Sequence, residues 1–120
     1  MSRIETFTRD GKTFIYIDFS NLQTNDMLNQ VIENAKSTIS QYPQKSVYTI
    51  SNFEGLHFNK DSKDAIIPYV EANKPYVIAG AIIGLDGLKK IMANAILSGR
   101  KDLVIVATKE DAIQALLKNQ

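Results

Sequence analysis

The chain has 120 residues, 44% hydrophobic and 22% charged, and its 14 basic and 13 acidic side chains leave a net charge of +1. This predicts a single globular domain over residues 1–120, excludes a disordered composition, and gives no electrostatic basis for a nucleic-acid or anionic-membrane partner. Cysteine is absent and His57 is the one histidine, which removes disulfides, thiolate zinc sites, cysteine nucleophiles and any multi-histidine metal site within one chain.

The first twelve residues, MSRIETFTRDGK, carry charge from Arg3 onward and lack the apolar core of a signal peptide. The longest uncharged run, residues 75–85, is shorter than the ~20 residues a bilayer span requires. A soluble cytoplasmic protein with no transmembrane segment is therefore expected.

In chain order, residues 3–8 alternate weakly, Asp10-Gly11 marks a tight turn, and residues 12–19 alternate strongly. Asp-Gly between alternating runs predicts a β-hairpin, because glycine accepts the positive φ such turns require. In the second strand Thr13, Ile15, Ile17 and Phe19 face one way, and Phe14, Tyr16 and Asp18 the other. Large apolar groups on both faces place this strand inside the sheet. Thr24 is the expected N-cap of a long helix, with Asp26 in its first turn complementing the helix dipole. Met27, Leu28, Val31, Ile32, Ala35 and Ile39 trace its apolar face, and Tyr42-Pro43 ends it. Residues 46–52 read as the third strand.

A loop over 53–59 leads to a second helix at 60–73, which Pro68 should kink or begin in its regular part. Residues 76–83 are β-branched and small, without charge, the pattern of a strand buried on both faces. Gly84-Leu85-Asp86-Gly87 then turns into a third helix with apolar positions at Leu88, Ile91, Met92, Ala95 and Ile96. This strand and helix read as the centre of the fold. Ser98-Gly99-Arg100 predicts a glycine C-cap, residues 103–107 a last, fully buried strand, and Thr108 with Asp111 a capping box, Asp replacing Glu, at a terminal helix. The order is ββαβαβαβα. It predicts an α/β fold: a mostly parallel sheet with an N-terminal antiparallel hairpin and flanking helices.

Four segments in this order, FIYIDFSNL at 14–22, KSVYTISNFEG at 45–55, NKPYVIAGAIIGLDGLKK at 73–90 and TKEDAIQALL at 108–117, carry a family resemblance. The chain resembles the STAS (anti-sigma-factor-antagonist) family, in particular the small stand-alone branch grouped with Sec-fourteen-type (CRAL-TRIO) lipid-binding domains. The resemblance spans nearly the whole chain and is most specific at 73–90. It implies a small sheet flanked by helices and a protein that acts by binding partners or ligands. Phospho-regulated members of the broader family carry an Asp-Ser-Ser-Gly-like turn after the third strand. Here the turn reads Asn52-Phe53-Glu54-Gly55, so the switch hydroxyl is missing; Glu54 would set a fixed negative charge near its place, but a solvated loop glutamate is the better account of it. Ser51 and Ser62 are out of register with it.

The remaining candidates are weaker than their ordinary explanations. Gly80, Gly84 and Gly87 match neither the dinucleotide nor the P-loop spacing, and Asp86 would repel a phosphate; close packing and capping explain them. His57 has the neutral-range pKa of a general base, with Glu54 and Asp61 near in sequence, but no activated nucleophile accompanies it. Asp18 and Asp26 flank the loop where open α/β sheets place ligands; a turn former and a helix-start charge account for them better than magnesium. Lys89-Lys90 and Arg100-Lys101 bracket the third helix as solvated and dipole-complementing charges.

Phe53, Leu56 and Phe58 put three large apolar groups in one loop, either as a lid on the core or as a contact surface. The expected function is a non-enzymatic interaction or regulatory module without cofactor. Its contact loop to an unknown protein partner is Asn52, Phe53, Glu54, Gly55, Leu56, His57 and Phe58. The alternative is a small apolar-ligand or lipid carrier, with room beside the sheet at Ala79, Gly80 and Ala81. Homodimerisation through an uncovered sheet edge or helix face is compatible with the pattern.

Overall fold

The computed structural model describes residues 3–56, 59–85 and 102–118. These form strands β1 (Ile4–Arg9), β2 (Lys12–Asp18), β3 (Val47–Asn52), β4 (Val77–Ile83) and β5 (Leu103–Ile105), and helices α1 (Asn25–Ile39), α2 (Lys60–Asn73) and α3 (Lys109–Lys118). The strands lie side by side in sequence order. β1 runs antiparallel to β2, and every later neighbour is parallel. The α/β fold with a hairpin at one edge is thus the one the residue pattern predicts.

The hairpin closes at Arg9 opposite Lys12. Asp10 and Gly11 hold φ at 54° and 77°, the primed turn whose twist matches that of the flanking strands. β2 lies inside the sheet, with Phe14, Ile15 and Ile17 fully buried. Thr24 caps α1 by accepting the Met27 N–H at 3.2 Å. The helix proper stops at Ile39, ahead of Pro43. Beyond it the Gln41 and Tyr42 N–H groups bond to Thr38 and Ile39 carbonyls, tightening the chain before the proline.

α2 begins with a reciprocal cap. The Asn59 side chain accepts the Ser62 N–H at 2.9 Å, and the Ser62 hydroxyl accepts the Asn59 N–H at 2.7 Å. Pro68 lies within this helix, not at its start, where its ring removes one backbone hydrogen bond.

Because side chains alternate across strands, the sheet supports two cores. α1 and α2 cover one face, where Ile15, Ile17, Phe19, Val47 and Ile82 meet Leu28, Ile32, Ile66 and Tyr69. α3 covers the other, where Phe14, Tyr48, Ile50, Ala79 and Ala81 meet Ala112, Ile113 and Leu116. The Thr108 hydroxyl caps α3 by accepting the Asp111 N–H at 3.1 Å.

Two expectations are corrected. β3, not β4, is the middle strand, though β4 has a strand on each side and buries six of its seven residues. The last strand is not fully buried over 103–107: β5 is three residues long, half-buried, and lies at an edge. An apolar run signals burial without saying how many neighbours supply it, and here, among the described residues, only Gly80, Ala81 and Ile82 pair with the strand. The expected third helix, its cap at 98–100, Asp86, Gly87 and the lysine and arginine pairs around it lie outside the described residues. Among the described residues no helix is long and apolar enough to cross a membrane.

Candidate functional site

The carboxyl ends of β2, β3 and β4 meet at one end of the sheet, where open α/β sheets hold their ligands. The turn after β3 is fixed there by hydrogen bonds to both neighbours. The Phe53 N–H bonds to the Ile83 carbonyl at 2.9 Å, the Phe19 N–H to the Asn52 carbonyl at 2.8 Å, and the Asn21 N–H to the Glu54 carbonyl at 2.9 Å. Asn52 ties the turn from within. Its side-chain oxygen accepts the Glu54 N–H at 3.0 Å, and its amide donates to the Tyr16 hydroxyl at 3.0 Å.

Two glycines make this approach possible. Gly55 has φ +68°, and a side chain there would strike the Asn21 side chain; Gly84 has φ +82°, and a Cβ would lie 2.5 Å from the Glu54 nitrogen. Asn21, itself at φ 59°, occupies the left-handed region that asparagine tolerates better than most residues.

The candidate loop residues divide by chemistry. Phe53 is 3% exposed and Leu56 2%, and both belong to the core under α1 and α2. The Phe53 ring stacks on Phe19 at 5.0 Å, and Phe19 meets Tyr69 edge-on at 5.4 Å. Asn52 is half-buried, while Glu54 and Gly55 are exposed. His57 and Phe58 lie outside the described residues. The described part of the loop is thus a core lid with a polar tip.

Beside that tip an open groove of about 500 Å³ runs past Asn52, Glu54, Gly55, Gly84, Leu85, Thr108 and Lys109. Its cation is already engaged. Lys109 pairs with Glu5 at 3.2 Å and lies over the rings of Phe7 and Tyr16 at 5.0 and 4.6 Å.

Asp18 accepts the Ser20 N–H at 2.8 Å and faces Arg3 at 3.8 Å, so it forms the turn after β2. Asp26 sits in the first turn of α1. Among the described residues no three His, Cys, Asp or Glu side chains group as metal ligands would. Gly80 packs closely in the sheet: a Cβ would lie 2.7 Å from the Thr49 hydroxyl and 3.0 Å from Leu103.

Between α2 and the sheet is a cavity of about 30 Å³, lined by polar Thr49, Ser51, Tyr69 and Asn73 and by Phe53, Val70, Val77 and Leu103 among others. The Tyr69 hydroxyl is buried there without a hydrogen-bond partner among the described residues. Burial pushes its pKa up to about 12; Ser51 and Asn73 stand close enough to draw it back a little, but neither reaches hydrogen-bonding geometry. The cavity admits roughly one water, and small-molecule sites are commonly ~300 Å³ or more.

Sequence reasoning did not single out Asn21, the Asn59–Ser62 cap or the Tyr69 cavity. The cap carried a readable signal, asparagine three residues before serine at a helix start. The cavity did not, since it arises from residues of β3, β4 and α2 far apart in the chain. No protein-family model matches this chain, and no curated protein sequence does.

Proposed function

We propose that this chain is a non-enzymatic, STAS-like interaction or regulatory module of the cytoplasm, which contacts a protein partner through the tip of the 52–56 turn. The resemblance at 14–22, 45–55 and 73–90 supports this reading, together with a mixed sheet that begins in a hairpin. One observation carries it. Glu54 and Gly55 are exposed on a backbone held by hydrogen bonds from both neighbouring chain segments. A side chain on such a turn meets a partner with little further ordering, which lowers the entropic cost of binding. Glu54 supplies a fixed carboxylate near the position where phospho-regulated relatives of the resembled family present a hydroxyl.

A photo-crosslinking residue placed at Glu54, and separately at exposed Gln44 near the amino end of β3, tests this in cells that produce the protein. A discrete, heavier protein adduct is expected from position 54 and not from position 44. No adduct at 54, or the same adducts from both positions, would overturn the reading.

A further inference from the structure

The β1 edge of the sheet carries an inference independent of the turn. In an antiparallel pair, opposed residues alternate between those that exchange hydrogen bonds and those whose backbone groups point away. The Asp18 N–H donates to the Arg3 carbonyl at 2.8 Å, and the register continues as Ile4 opposite Ile17 through Arg9 opposite Lys12. Glu5, Phe7 and Arg9 therefore bond inward to β2, while the N–H and C=O groups of Thr6 and Thr8 point outward. Both threonines are exposed.

Several of the usual guards against pairing are missing from this edge, and the one it does carry is charge, at Glu5 and Arg9. β1 is six residues long, without proline, and pairs with β2 without a bulge; natural edges are commonly short, kinked or bulged. Its charges are arranged to match a second copy of itself. With a two-fold axis at Phe7, Thr6 and Thr8 oppose Thr8 and Thr6 of the second copy, the outward-pointing pairs that backbone bonding requires. Phe7 then opposes Phe7, and Glu5 opposes Arg9 at both ends, at the non-hydrogen-bonded positions where side chains approach most closely. Shifting the axis to Thr6 or Thr8 preserves the bonding parity but loses the Glu5–Arg9 match.

The charges around this register alternate in sign. Glu5 already pairs with Lys109, and Arg9 with Glu110 at 3.3 Å. Glu5 remains 61% and Arg9 42% exposed, so each has room for a second, opposite neighbour. Gln114 donates to Glu110 at 3.0 Å, and that bond, with Arg9, holds the Glu110 carboxyl below its ordinary value. Phe7 is stacked on Phe14 at 5.2 Å, which fixes its ring for the axial contact. We propose that β1 pairs antiparallel with β1 of a second copy about Phe7, joining the two sheets into one continuous sheet in a homodimer.

Sedimentation velocity of the full chain across a wide concentration range reads the assembly. A reversible monomer–dimer equilibrium is expected. Thr6→Pro removes an outward N–H without touching the β2 ladder and should give a folded monomer, with circular dichroism checking the fold. Arg9→Glu alone and Glu5→Arg alone place like charges opposite one another at both ends, and each should weaken dimerisation roughly tenfold. Mixing these two variants should restore a dimer, because each then supplies what the other lacks. A wild-type monomer at every concentration would overturn the proposal. So would a dimer unaffected by Thr6→Pro, or charge variants that do not rescue one another.

Discussion

The turn at 52–56 and the outer edge of β1 are both exposed parts of the same sheet, but they dispose of their backbone in opposite ways. At the turn the N–H groups of Phe53, Glu54 and Leu56 are bonded within the protein, and two large side chains point into the core. Of residues 52–56, Glu54 and Gly55 are the exposed ones. Along β1 the backbone itself is on offer at Thr6 and Thr8, flanked by charges that complement a reversed copy. The difference separates two kinds of surface: a fixed turn recognises through a side chain, and an open edge recognises through the main chain.

The largest expected effect breaks the comparison on the turn side. Phe53→Ala should destabilise the fold by about 3–5 kcal/mol in urea unfolding, as truncation of a buried phenylalanine does. Glu54→Ala should stay within ~0.5 kcal/mol, as is usual for a surface change. Similar small effects for both would mean that Phe53 is a contact residue and not part of the core.

A smaller effect sharpens the same comparison from beneath the turn, where Tyr69 packs against Phe19. Its folded pKa of about 12 lies above the ordinary 10.0, so folding favours the protonated phenol. The associated stability is fully present below pH ~10 and is lost as pH rises toward ~12, by about 2–3 kcal/mol. Unfolding free energies measured through this range should fall more steeply for the wild type than for Tyr69→Phe. Equal slopes would show that the hydroxyl is not buried as described.

Much of this architecture was legible in the residues. Asp10-Gly11 announced the hairpin, Thr24 the start of α1, and Phe14 to Phe19 a strand with two apolar faces, because each signal is local. Edge and centre were not legible in the same way. The runs at 77–83 and 103–105 are both apolar, yet the first lies between two strands and the second at an edge. Periodicity records what a side chain meets, while position in a sheet depends on backbone partners elsewhere in the chain. Phe53 and Leu56 show the same limit at the site. Their apolar character was plain, but whether they form a lid or a contact depended on Phe19 and Tyr69, residues distant in sequence. The outward-pointing backbone groups of Thr6 and Thr8 became visible only once the register of β1 with β2 was known.

Amide hydrogen exchange, followed residue by residue by NMR at several protein concentrations, tests this contrast most directly. The Phe53 N–H, bonded to Ile83, should be protected at every concentration, whereas the Thr6 and Thr8 amides should exchange freely when dilute and slow as the protein is concentrated. Thr6 and Thr8 exchanging at one fast rate throughout, or a Phe53 amide as unprotected as theirs, would contradict it.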